Sequence, residues 1–253
     1  MLHKYLPPPA VSDSPAARRE KALLVGAVIV VLVTGYFLVA KLTNSHDARE
    51  LRTAWDDAIP FWAPAMHPYA LVYTAAFYPA FCIRDTTLFR RVASGYLIVS
   101  IASLLIFCAM PVTSLGLRIP RAALDLHRFE HWGLALTYAV DPPYNLFPSV
   151  HLSMATMAAL SAYSARPLWG LMAAPGAIAV GASIALVKQH FIADGLAAVI
   201  LAVGVWWWVV RSPEDAQNCE DAAFGWRGPL GYLGIHAGFY AIMYGLFVSG
   251  WTP

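Results

Sequence analysis

The chain has 253 residues, of which 59% are hydrophobic and only 13% charged, and its mean hydropathy is +0.57. An ordinary soluble domain carries about 25% charged residues, so this composition argues against a soluble globular protein and for a multi-span membrane protein. A formal net charge of +2 leaves no basic footprint for nucleic acid, and three cysteines (Cys82, Cys108 and Cys219) make no disulfide framework.

Residues 1–21 form a polar, Pro-rich N-terminal tail ending in Arg18-Arg19-Glu20-Lys21. Apolar runs follow at about 22–42, 67–83, 93–110, 149–165, 168–187, 190–210 and 230–250. A membrane helix needs about 20 residues, and backbone in lipid must satisfy its own hydrogen bonds. Each run is therefore predicted to be a helix, giving an all-α polytopic membrane bundle of six to seven transmembrane helices. The first run is too long for a signal-peptide core and has no small-residue cleavage site, so it is read as a retained span. The run at 67–83 is short and holds His67 and Pro79; the choice between six and seven turns on it. Residues 22–253 read as one membrane-embedded domain with its core at about 60–210.

Orientation follows from Lys and Arg. With seven spans and the N-terminus inside, the inner side holds Lys4, Arg18, Arg19, Lys21, Arg84, Arg90, Arg91, Arg166, Arg211 and Arg227. The outer side holds Lys41, Arg49, Arg52, Arg118, Arg121, Arg128 and Lys188. This bias puts the 149–151 and 188–194 segments on the extracytoplasmic or lumenal face. Trp206, Trp207 and Trp208 then lie near the inner interface, a usual place for tryptophan.

The longest connection, about 111–148, contains Asp125 to Trp132, predicted as a short amphipathic helix on the membrane surface. Long connections in compact proteins are often functional. His127-Arg128-Phe129-Glu130-His131 fits the inverted zinc pattern His-x-x-Glu-His. Five residues with three fixed are a weak signal, and an interfacial helix with an Arg–Glu pair is the simpler reading.

The chemistry concentrates in two segments. Phe147-Pro148-Ser149-Val150-His151 opens the fourth long run, and Lys188-Gln189-His190-Phe191-Ile192-Ala193-Asp194 opens the sixth. Two spans and a tight turn consume about 40 residues, so a hairpin returns His190 to the membrane face where His151 began. His190 and Asp194 share a helix face at i, i+4, where an aspartate can hold an imidazole tautomer and stabilise its cation. Pro148 suits a first helical turn and Ser149 can cap it; the free N–H groups of that turn bind anions. Lys188 can give an ammonium to a phosphate oxygen or snorkel to the interface. Arg118 and Arg121, in the preceding loop, can grip phosphate with paired hydrogen bonds or be ordinary loop charges.

These residues resemble the type 2 phosphatidic acid phosphatase superfamily. Its pattern runs from a lysine with Arg-Pro, through Pro-Ser-Gly-His, to Ser-Arg, five residues, His, three residues and Asp. Pro148, Ser149 and His151 match the second part, with Val150 where glycine is usual. Ser183, His190 and Asp194 match the third, with Ile184 in place of the arginine, for which Lys188 is the substitute cation. The first part is degraded: Ser114 stands where lysine is usual, and Pro120 precedes Arg121. The Lys188-Gln189-His190 form, with Ile59-Pro60-Phe61 upstream, is more similar to the branch containing inositol phosphorylceramide synthases.

The resemblance implies a phosphatase-type core and a metal-independent, cofactor-free lipid phosphatase. His190 is the expected nucleophile, Asp194 its orienting group and His151 the acid and base. Lys188, Ser149, Arg121 and Arg118 are the expected phosphate ligands. The expected substrate is a lipid phosphate or phospholipid drawn from the bilayer. Transfer to an acceptor alcohol, as in inositol phosphorylceramide or sphingomyelin synthases, is the alternative. Two further alternatives stand beside it: a two-histidine, one-aspartate metal site, which the neighbouring cations oppose, and a transporter or assembly factor without catalysis.

Overall fold

The computed structural model describes residues 14–43, 47–211 and 223–253. Lys4 and Cys219, and most of the N-terminal tail, lie outside the described residues. The described chain is all-helical apart from isolated bridges. Helix α1 spans Pro15–Leu42, α2 Ala54–Ala58, α3 Met66–Tyr69, α4 Tyr78–Cys82 and α5 Thr86–Ala109. After a long connection come α6 (Phe129–Val140), α7 (Val150–Ala165), α8 (Pro167–Leu186), α9 (Ile192–Val205) and α10 (Arg227–Val248). A π-helical turn, Trp206–Val210, continues α9.

Five of these are long and apolar enough to cross a membrane: α1, α5, α8, α9 with its π turn, and α10. They mark a membrane protein. Their surfaces agree, because large apolar side chains face outward. Val30 is 63% exposed, Ile178 72%, Ile200 73% and Trp208 90%, whereas Ser100, Ser103, Ser153 and Ser161 are buried. Water does not tolerate that inversion over whole helices, while lipid requires it.

The helix ends differ from the predicted ones for local reasons. Helix α1 begins at Pro15 instead of about residue 22, because Ser14 caps it and proline opens it. Helix α5 begins at Thr86 instead of 93, capped by Asp85. The 67–83 run is not one helix. It is α3, two 3-10 turns (Ala70–Tyr73 and Ala75–Phe77) and α4. Thr74 leaves the helical region at φ −123°, ψ −24°, and Pro79 lacks the N–H that a continuous helix needs.

Helix α7 is central and packs on α5, α8 and α9. Its alanines and serines admit close neighbours, as small residues do between membrane helices. The α7–α8 hairpin is tight at Gly170, where a Cβ would lie 2.3 Å from Tyr163 Cβ. The hairpin turns at Arg166, so α8 runs back to the end where α7 started. Asn145 Nδ2 donates to Tyr36 O near the end of α1, which identifies that end as the one beyond α1 and α5. At the opposite end Lys21 Nζ donates to Ile83 O and Arg84 O, and Trp207 stacks under Arg211.

Candidate active site

Two buried turns at one end of the bundle make the site. The first leads into α7. Ser149 is its N-cap, its Oγ accepting from Leu152 N–H at 3.4 Å, and Val150 and His151 form the first turn. Pro148 therefore precedes the cap and lies outside the first turn predicted for it.

The second turn, Val187–Phe191, joins α8 to α9. Gln189 N–H donates to Ile184 O at 3.0 Å and Lys188 N–H to Ala185 O at 3.1 Å. This is the Schellman pattern, which requires a left-handed residue, usually glycine, just past the helix end. Here that residue is Lys188, at φ 57°, a conformation that costs an ordinary residue about 1 kcal/mol. The lysine contributes what glycine cannot: Nζ donates to Asp56 O at 2.9 Å and Ile59 O at 2.6 Å. Burial pushes the Lys188 ammonium below its usual range, and Asp57 and Asp56 pull it back up. Asp56 Oδ1 also accepts from Ile192 N–H at 2.8 Å, and Trp62 N–H donates to Leu186 O at 3.0 Å. The 53–62 segment is thus latched onto the α8–α9 turn.

Ser149 N–H donates to Asp194 O at 3.1 Å and ties the two turns together. That bond brings the imidazoles into contact. His190 Nε2 lies 3.5 Å from His151 Nδ1 and 3.3 Å from Ser149 Oγ. His190 Nδ1 lies 3.3 Å from Asp194 Oδ2, which also accepts from Phe191 N–H at 2.9 Å. His190 is 2% exposed and Asp194 fully buried. A phosphorus approached in line by His190 needs about 3 Å on that side, with a hydrogen bond of about 2.8 Å on the other. Two nitrogens 3.5 Å apart leave no such room, so the rings must part to admit a phosphoryl group.

The other predicted ligands have different partners. Arg118 donates to Ser114 Oγ (3.1 Å), Tyr138 O (3.1 Å) and Asp141 O (2.9 Å) and covers the Tyr138 ring. It staples the C-terminus of α6, where a cation meets the helix dipole. Arg121 is exposed on the 3-10 turn Arg121–Ala123, and among the described residues no polar contact joins it to the histidines. Of the expected phosphate ligands, only Ser149 touches the pair. The zinc-like pattern diverges as well: His131 Nδ1 accepts from Asp125 N–H, and Glu130 faces His67 at 3.7 Å.

Sequence reasoning missed Asp141, which caps the end of α6. Its Oδ2 accepts from Tyr69 OH at 2.9 Å and Gln189 Nε2 at 3.4 Å and lies 3.8 Å from His151 Nε2. The available signal was a lone carboxylate closing an apolar helix ten residues before His151, since ionisable groups inside membrane proteins are costly. Also unanticipated is a trough of about 320 Å³ between α1, α5, α7 and the 72–80 segment. Its walls are apolar (Val25, Leu32, Val72, Ala76, Val92, Met154), and its polar end holds Tyr36, Tyr73, Asp141 and His151. Val25 to Phe37 along α1 is about 18 Å at helical rise. Comparison with protein-family models, with curated proteins and with solved structures gives no match.

Proposed function

We propose that the protein is an integral-membrane lipid phosphatase working through a phosphohistidine. The observation that carries this reading is a buried Asp194–His190–His151 array whose acid/base end opens into an apolar trough. The trough supports a lipid substrate: its length suits an aliphatic chain, and its polar end adjoins the reacting nitrogens.

In the first half-reaction the His190 Nε2 lone pair attacks phosphorus. The bond from phosphorus to the lipid oxygen breaks with its electron pair, and His151 Nδ1 gives its proton to that oxygen. Asp194 stabilises the cationic His190 adduct. Then a water oxygen attacks phosphorus, its proton passes to His151 Nδ1, and the N–P electrons return to His190. The products are lipid alcohol and phosphate, and His151 ends as it began. Ser149 Oγ and the N–H groups of Val150 and His151 meet the equatorial oxygens. The Lys and Arg bias favours an extracytoplasmic or lumenal site.

The test incubates purified protein with labelled lipid phosphates and phospholipids, with and without acceptor alcohols, and identifies products by mass. Release of lipid alcohol, with loss of turnover and of acid-labile phosphoenzyme in His190→Ala, is the expected result. Full activity in His190→Ala rejects the nucleophile. Products formed only with an acceptor alcohol replace hydrolysis by transfer.

A further inference from the structure

His151 has two nitrogens and the mechanism above uses one. Its Nδ1 faces His190, and its Nε2 faces Asp141 Oδ2 at 3.8 Å. Asp141 is 5% exposed. Arg118 hydrogen-bonds the main-chain oxygen of Asp141, and none of its described bonds reaches the carboxylate. The carboxylate is held instead by neutral donors from two other segments, Tyr69 OH from α3 and Gln189 Nε2 from the α8–α9 turn. Tyr69 also packs its ring 5.8 Å from that of His151. Burying a carboxylate whose described hydrogen bonds come from neutral donors is expensive. One that faces the spare nitrogen of an acid/base histidine has a chemical reason to be there.

We infer that Asp141 is the positioning residue of His151: it holds the Nε2–H, so that Nδ1 alone carries the travelling proton. This rests on the phosphatase reading above. The site then contains two carboxylate–imidazole pairs back to back, Asp194 behind His190 and Asp141 behind His151. Asp194 fixes the nucleophile with Nε2 free. Asp141 fixes the acid with Nδ1 forward, and its charge balances the imidazolium that must exist before the leaving oxygen is protonated. Tyr69 and Gln189 orient the carboxylate, which keeps the longer Asp141–His151 approach in register until substrate tightens it.

The experiment compares wild type, Asp141→Asn, Tyr69→Phe, His151→Ala and the Asp141→Asn/His151→Ala double variant on two substrates. One is a dialkylglycerol phosphate, whose alkoxide needs a proton to leave; the other is nitrophenyl phosphate, whose phenolate does not. Asp141→Asn is expected to lower kcat on the lipid phosphate about 100-fold and on nitrophenyl phosphate less than tenfold, with KM little changed. Tyr69→Phe is expected to show the same selectivity at smaller size, so a poorly folding Asp141→Asn does not decide the matter. The double variant is expected to be no slower on the lipid than His151→Ala alone, because both remove one function. Equal losses on both substrates in Asp141→Asn and Tyr69→Phe, or additive losses in the double variant, overturn the assignment. Such an outcome with an active wild type leaves the phosphatase reading intact. An inactive wild type overturns both.

Discussion

At the scale of single residues, the site is a contact between two imidazoles that the sequence holds 39 positions apart. His190 is pinned on three sides, by Asp194, by Ser149 and by the main chain of its own turn. His151 faces Asp141 at 3.8 Å and packs against tyrosine rings from α1 and α3. In the proposed reaction, an acid fixed this way is spared the entropy of finding the leaving oxygen. His151→Ala is therefore expected to cost about 100-fold or more on an alkyl phosphate and far less on nitrophenyl phosphate. Steady-state kcat on both substrates measures this, and equal losses remove His151 from the acid role.

At the scale of elements, the α8–α9 turn breaks a local rule and gains a tertiary contact. A left-handed lysine costs about 1 kcal/mol, and its ammonium then anchors the 53–62 segment. Asp56 completes the latch. Burial pushes its carboxyl up, but hydrogen bonds from Thr53 and the Ile192 N–H, with the Lys188 charge, hold it below the usual carboxylate range. A carboxyl lowered in the folded state adds stability above its unfolded pKa and loses it as pH falls through the folded value. Asp56→Asn is expected to destabilise by about 1.5 kcal/mol or more near neutral pH. The gap to wild type should narrow below about pH 4. Thermal unfolding in detergent across pH checks this, and parallel curves for the two proteins contradict it.

At the scale of the whole molecule, the fold places an apolar trough under a polar site. Helix α1 lies mostly outside the packed core and forms one wall of that trough. The broken 66–82 segment forms another, because its 3-10 turns offer small side chains such as Ala76 where a straight helix would present a ridge. Ala76→Phe is expected to fill part of this space. It should lower kcat/KM for a long-chain lipid phosphate at least about tenfold, the scale of two or more buried methylenes, with a smaller loss on nitrophenyl phosphate. The ratio of the two constants is the readout, and an unchanged ratio moves the lipid elsewhere.

Composition and spacing by themselves determined the membrane class, the helical fold and the hairpin return of His190 to His151, because bilayer thickness converts residue count into position. Hydropathy also located most helix ends to within a few residues. It missed those set by caps at Ser14 and Asp85 and the breaks at Thr74 and Pro79, which are local chemistry and not periodicity. Only the tertiary structure decided where Lys188, Arg118 and Asp141 point. A charged side chain near a membrane surface can serve a ligand, a carbonyl or another side chain with equal local plausibility. The choice is made by segments such as 56–59 and 138–141 that folding brings alongside, and their proximity leaves no trace in the neighbouring sequence.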